Sequence, residues 1–297
     1  MGRATLSAPM DPPVVSVVVP TRGRAAYLEV TLDSLLAQRT EAAHEIVVVD
    51  DGARDATAAV VAARPGVRYV SHGDGRGLNA ARNTGLRQSR APLIAYVDDD
   101  VLVPSGWLDA LVEGARRHPG AEAFGGPIRA RFEGRTPRGC GREEPPITTL
   151  DLGVDDCEAP MAWGANFALR RDAVGRIGEF DERIVRPHGD EEEWLERLRA
   201  AGGTIVYLAG AGLDHRRTAE DARLGPLARA AYARGRAARA SDRRRSRAPS
   251  LRSELRVLGG CVWHTARRGC PQGVIMGAHS AGRVVEALRP VPARDER

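Results

Sequence analysis

Short β-branched runs alternate with segments of helical spacing through the first hundred residues. The runs are Val14 to Val19, Ile46 to Val49, Val67 to Val70 and Leu93 to Val97; the segments between them are Tyr27 to Ala37, Asp55 to Ala63 and Leu78 to Gln88. Strands that are apolar on both faces and joined by helices predict a buried, mostly parallel sheet in an α/β domain. In such sheets ligands collect outside the carboxyl ends of the strands. The segments to search for function are therefore Pro20-Thr21-Arg22, Asp50-Asp51-Gly52, Ser71 to Gly77 and Asp98-Asp99-Asp100.

Further along, the spacing predicts a helix over Pro104 to Arg117 and a short strand near Ala121 to Phe124. Residues 126–160, rich in Gly, Pro and charge, read as a long loop. Order is expected again at Met161 to Leu169, in a helix from Asp190 to Ala201 and in the apolar run Thr204 to Leu208. Beyond His215 the chain reads as Arg-rich helices broken at Asp242 to Ser250. The expected organisation is a flexible segment over 1–12, a main domain over 13–215 with halves 13–125 and 126–215, and a basic helical region over 216–297.

All 44 basic residues among the 297 are arginine. Up to His215 the net charge is −7, and after it +12, so the two parts have different electrostatic roles. Neither a 20-residue apolar stretch nor an apolar signal core in MGRATLSAPMDPP is present, which predicts a cytoplasmic protein. Cys140, Cys157, Cys261 and Cys270 have no metal-ligand spacing and are expected as free thiols.

YVDDDV, Tyr96 to Val101, is the sharpest chemical signal. Three adjacent carboxylates ending an apolar strand repel one another unless a cation shares the site. On extended backbone Asp98 and Asp100 point to one side and Asp99 to the other, offering two oxygen ligands to Mg²⁺ or Mn²⁺. A solvated acidic turn is the plainer alternative. Asp50-Asp51-Gly52 is likewise either a nucleoside-binding carboxylate or a turn capping the next helix.

Taken together, VVSVVVPTRGR, EIVVVDDGARD, GLNAARNTGL, YVDDDVLVPSGWL, WGANFALRRDAVGRIGEFDE and GDEEEWLERLRAAGG resemble, in order, the blocks of family 2 glycosyltransferases, over roughly residues 14–215. The resemblance implies the GT-A fold, a Rossmann-like mostly parallel sheet flanked by helices, here followed by an Arg-rich helical extension. It makes 13–125 the nucleotide-sugar-binding half and 126–215 the acceptor-side half. The implied activity is metal-dependent, inverting transfer from a nucleotide sugar, UDP-linked by expectation, to an acceptor hydroxyl of a glycan, a lipid-linked glycan or a secondary metabolite.

Residue by residue, the resemblance puts Pro20, Thr21, Arg22 and Asp51 around base and ribose, with Arg76 and Arg82 near base or phosphate. Asp98 and Asp100 become ligands of a metal bridging the phosphates, Asp99 lies beside them, and His215 completes the set or contacts the diphosphate. Trp163, Gly164 and Asn166 shape the sugar and acceptor pocket. The base position falls on Glu191, with Asp190 or Glu192 as alternatives. Each assignment has a plainer counterpart: Arg76 solvated, Trp163 packed in the core, His215 on the surface, and the acidic first turn serving the helix dipole with Glu193 paired to Arg197.

Other chemistries fit less well. Gly75-Arg-Gly77-Leu-Asn-Ala80 has the form of a dinucleotide fingerprint but follows the third strand instead of the first. No P-loop is present. A nucleotidyltransferase would carry a Gly-rich phosphate loop where this chain has PTRGR. A non-catalytic binder of acidic polymers through the basic region is the third class. That region can pack on the main domain, or it can lie peripherally on an anionic membrane at its inner face. Its shortage of aromatics argues against nucleic acid.

Overall fold

The computed structural model describes residues 12–52, 56–136, 138, 147–184 and 190–289, with the side chain of Asp190 excepted. In chain order the elements are β1 (Val15–Thr21), α1 (Ala25–Leu36), β2 (His44–Asp50), α2 (Thr57–Ala62), β3 (Val67–Ser71) and α3 (Leu78–Gln88). Next come β4 (Leu93–Val97), β5 (Val101–Leu102), α4 (Trp107–Arg117), β6 (Ala123–Gly125), β7 (Ile128–Phe132), β8 (Cys157–Glu158) and β9 (Asn166–Arg170). The chain continues through α5 (Arg171–Ile177), α6 (Asp190–Ala200), β10 (Ile205–Tyr207) and β11 (Leu213–Arg217) to α7 (Leu224–Arg244), α8 (Leu251–Arg268) and α9 (Pro271–Ala287).

The chain divides into two compact units. Among the described residues, the first comprises those up to Arg129, those of 150–184 and those of 191–215; the second comprises those of 130–149, 190 and 216–289.

The first unit is built on an eight-stranded sheet ordered β3-β2-β1-β4-β9-β6-β10-β8. β1 lies parallel to both β2 and β4, and β2 parallel to β3. Along β1 the side chains alternate: Val15, Val17 and Val19 join Leu28, Leu32 and Leu35 of α1 on one face. Val18 joins Ala81 and Leu86 of α3 and Trp194 and Leu198 of α6 on the other. Burial on both faces is why these runs read as continuously apolar. The parallel order brings the ends of β1, β2 and β4 to one edge, and the Asp51 N–H donating to the Thr21 carbonyl over 2.9 Å extends the ladder beyond the last strand residue.

Several sequence expectations need correction. Residues 126–160 are not simply a long loop, because β7 and β8 fall inside them. In β7, Ile-Arg-Ala-Arg-Phe, arginines alternate with apolar residues and hide a strand in which Ile128 is buried and Arg129 exposed. Order after this region returns in β9 at Asn166, not at Met161, and α5 and β11 were not anticipated. β11, LDHRR, is strand in spite of its charges because it pairs antiparallel with β5, placing His215 opposite Val101. Among the described residues Cys157, Cys261 and Cys270 are free thiols; Cys140 and most of the expected N-terminal segment lie outside them.

The second unit is chiefly α7, α8 and α9. Its apolar cluster is small, with Ile147, Leu227, Ala231 and Ile275 at its centre. Ion pairs link its helices: Arg283 binds both Glu254 and Asp242, and Arg236 binds Glu286. α7 and α9 approach closely at Gly235, where a Cβ would stand 1.9 Å from the His279 carbonyl oxygen. The interruption expected near Asp242 to Ser250 falls between α7 and α8, and the Ser250 hydroxyl caps α8 by accepting the Ser253 N–H. No helix among the described residues is long and apolar enough to cross a membrane.

Candidate active site

Three carboxylates follow β4 directly, and the chain turns there instead of continuing extended. The division of their side chains nevertheless matches the expected one. Asp98 and Asp100 converge with His215, each offering a ligand atom within 4.8 Å of the others. Asp99 turns towards β1, where it accepts the Thr21 hydroxyl at 2.7 Å. Thr31 of α1 pins the turn by donating to the carbonyls of Asp99 and Val101. His215 reaches the cluster because β11 runs beside β5, and its Nε2 lies 3.3 Å from Asp100.

Arg24 is a member that the sequence reading missed. Its two terminal nitrogens bind Asp99 and Asp100, each at 2.7 Å, and its guanidinium lies over the Tyr27 ring at 4.5 Å. Only its place in PTRGR, beside the favoured Arg22, could have signalled it. Burial disfavours the charge of Arg24, but Asp100 and Asp99 outweigh that and raise its pKa. Burial is also the chief force on the acids, pushing Asp99 up to about 7 against the pull of Arg24. It raises Asp98 too, with repulsion from Asp100 adding to it and His215, Arg82 and Arg24 opposing. Burial and the repulsion between Asp98 and Asp100 are what a bound cation would relieve. Two carboxylates and an imidazole suit a divalent ion such as Mn²⁺ or Mg²⁺, Mn²⁺ accepting the nitrogen more readily.

Asp51, after β2, is almost fully engaged. Its carboxylate accepts the N–H groups of Arg76 and Gly77 at the start of α3, and His72 Nδ1 at 3.0 Å. Arg22, largely exposed, stands 3.5 Å away. His72, also missed by the sequence reading, is fixed at its other nitrogen by Thr84. Asp51 thus ties down the two residues that lead into α3; the turn-and-cap alternative toward Asp55 falls on residues 53–55, which lie outside the described ones. Arg76 sends its side chain to Glu182 at the surface, and Pro20 is buried at the end of β1.

A second group gathers around Arg82, which is 2% exposed. Its guanidinium lies 3.5 Å from Glu191 and packs over Phe180. The Gly164 N–H donates to the other Glu191 oxygen at 3.1 Å. A Cβ on Gly164 would come within 2.2 Å of the Arg82 guanidinium, so a larger residue would push that group from its place beside Glu191. Trp163 is partly buried against the core. The Asn166 amide is committed to the scaffold, donating to the Pro127 and Ala211 carbonyls and accepting from the Trp107 indole. Arg197 pairs with Glu193 and, with Trp194, holds the 177–179 turn. The Asp190 side chain lies outside the described residues, while Glu192 is half-buried next to the site.

A mostly parallel sheet with a carboxylate–imidazole cluster at its carboxyl edge defines the GT-A class, and comparison with known proteins agrees. Residues 16–178 match the model of Glycosyl transferase family 2, and the chain belongs to that family. It is 30% identical over 241 residues to validoxylamine A glucosyltransferase of Streptomyces hygroscopicus subsp. jinggangensis, spanning 70% of this chain and 57% of that protein. It is 29% identical over 293 residues to pre-mycofactocin glycosyltransferase of Mycobacterium tuberculosis, spanning 93% of this chain and 58% of that one. The chain thus spans less than two thirds of the length of these relatives. In structure it is similar to the mannosyltransferase PcManGT of Pyrobaculum calidifontis, solved in complex with GDP-Man and Mn²⁺: the TM-score is 0.63, identity is 17%, and 95% of this chain and 91% of that one are covered.

Proposed function

We propose that this chain transfers a sugar, with inversion, from a nucleoside diphosphate sugar to an acceptor hydroxyl, and that Asp98, Asp100 and His215 hold a divalent ion for the purpose. The observation that carries this is the convergence of those three side chains beside the end of β4. When bound, such an ion supplies Lewis-acid stabilisation of charge on the departing diphosphate.

The remaining work falls to the chain's own residues. Thr21 and Arg24 hold Asp99 and Asp100 in place, so that the acidic turn is ordered before the donor arrives. Asp51 fixes the loop entering α3, and the exposed Arg22 beside it is the residue assigned to base and ribose. Glu191 is the base: held by Gly164 and Arg82, its carboxylate receives the acceptor's proton as the new bond forms at the sugar carbon. Arg82 links the two groups, since its charge acts on Asp98 as well as on Glu191. UDP remains the expected carrier, and PcManGT with GDP-Man makes GDP the comparison to include.

The test is turnover against a panel of UDP- and GDP-sugars with Mn²⁺, Mg²⁺ or EDTA, and NMR assignment of the product's anomeric centre. Metal-dependent transfer with opposite anomeric configuration is expected. Transfer that survives complete chelation, or retention of configuration, would overturn the reading.

A further inference from the structure

α8 turns little of itself inward: of its 18 residues only Glu254 and Cys261 are buried. Leu251, Leu255 and Val262, spaced to share one stripe of the helix, are 37%, 48% and 59% exposed. Beside that stripe runs a second, in which Arg252 and Arg256 flank Trp263, itself 66% exposed. The Arg267 guanidinium stacks on Trp263 at 5.9 Å. Glu254, the helix's one acid, is turned inward and bound by Arg283, so the outer surface of α8 carries cationic charge without an anion.

From this juxtaposition we propose that the outer face of α8 docks on an anionic lipid surface. A bare aliphatic stripe and an adjoining arginine row with a tryptophan in it match the apolar interior, charged headgroups and interfacial layer that such a helix meets. Charge selects among occupants. A second copy of the chain would oppose arginine with arginine across a two-fold axis. A soluble polyanion would use the arginines but leave Leu255 and Val262 in water. The proposal is independent of the transfer chemistry.

The full chain should cosediment with vesicles containing phosphatidylglycerol at low salt. It should partition at least about tenfold less to pure phosphatidylcholine, or to the anionic vesicles at roughly 0.5 M salt. Leu255→Glu with Val262→Glu, and separately Arg252→Glu with Arg256→Glu, should each lower partitioning by about tenfold or more. These side chains are exposed, and circular dichroism checks that the fold persists. The proposal is overturned if the Leu255/Val262 variant binds as the parent does, or if poly-glutamate binds as tightly as the vesicles. It is equally overturned if the parent ignores vesicles and instead forms a dimer that the Leu255/Val262 variant dissolves.

Discussion

The Arg82 guanidinium stands 3.5 Å from the Glu191 carboxylate, and both side chains are buried. The pair joins α3 to α6 within one unit and leaves Glu191 little freedom to rotate. Glu191→Gln keeps the shape and removes the proton-accepting oxygen, so turnover should fall by about 10² to 10⁴ while donor affinity holds. Glu192→Gln should be mild. If the Glu192 variant is the crippled one, the base has been assigned one residue too early. Gly164→Ala, by crowding Arg82 beside Glu191, should damage turnover although both charged side chains are kept.

Loading of the cation site can be read without turnover. With UDP present, a Mn²⁺ concentration near 100 times its dissociation constant should stabilise the parent by about 2.7 kcal/mol. Asp98→Asn, Asp100→Asn and His215→Ala should each lose most of that shift. Without metal, Asp98→Asn should be at least as stable as the parent, because one member of a repelling set is gone. A variant whose Mn²⁺-induced shift equals the parent's would remove that residue from the ligand set.

Asp51 carries a structural task alongside any contact with the donor. Asp51→Ala strips the acceptor from the Arg76 and Gly77 N–H groups and from His72, and should cost about 1.5–3 kcal/mol in urea unfolding at neutral pH. An unchanged urea midpoint would mean that the start of α3 is held without it.

These contacts also mark where sequence was sufficient and where it was not. The β1–β4 framework was legible because strands buried on both faces leave unbroken apolar runs, and Asp98 and Asp100 because adjacent like charges demand an explanation. His215 needed the family's block order, since nothing local distinguishes LDHRR from surface. Arg24, His72 and the Gly164–Glu191 contact were illegible: each depends on partners from other elements, such as Thr84 for His72 and Asp100 for Arg24. The strand β7 was masked by arginines that alternate with its inward residues.

Acid should weaken the protein partly through Glu45. Burial alone would raise its pKa, but the Ser16 hydroxyl, the Arg90 N–H and guanidinium, and Arg68 outweigh burial and lower it below 4.5. A carboxylate depressed in the folded state adds stability above its unfolded pKa and loses it as pH falls through the lower, folded value. Parent stability should therefore decline as pH drops below about 4.5, and Glu45→Gln should flatten part of that slope while lowering stability at pH 7. Parallel parent and variant curves would exclude Glu45 as a contributor.

The ligand cluster draws on two distant stretches of chain. Asp98 and Asp100 leave the ribosome early, and the imidazole of His215 follows 115 residues after Asp100, carried by β11. At ordinary elongation rates that gap lasts on the order of ten seconds. During that interval the emerged chain has Arg24, Asp98 and Asp100 but not His215. On the proposed ligand set, ion capture would in this sense be a late event of biogenesis, and a chain arrested before Leu213 would carry the aspartates without His215.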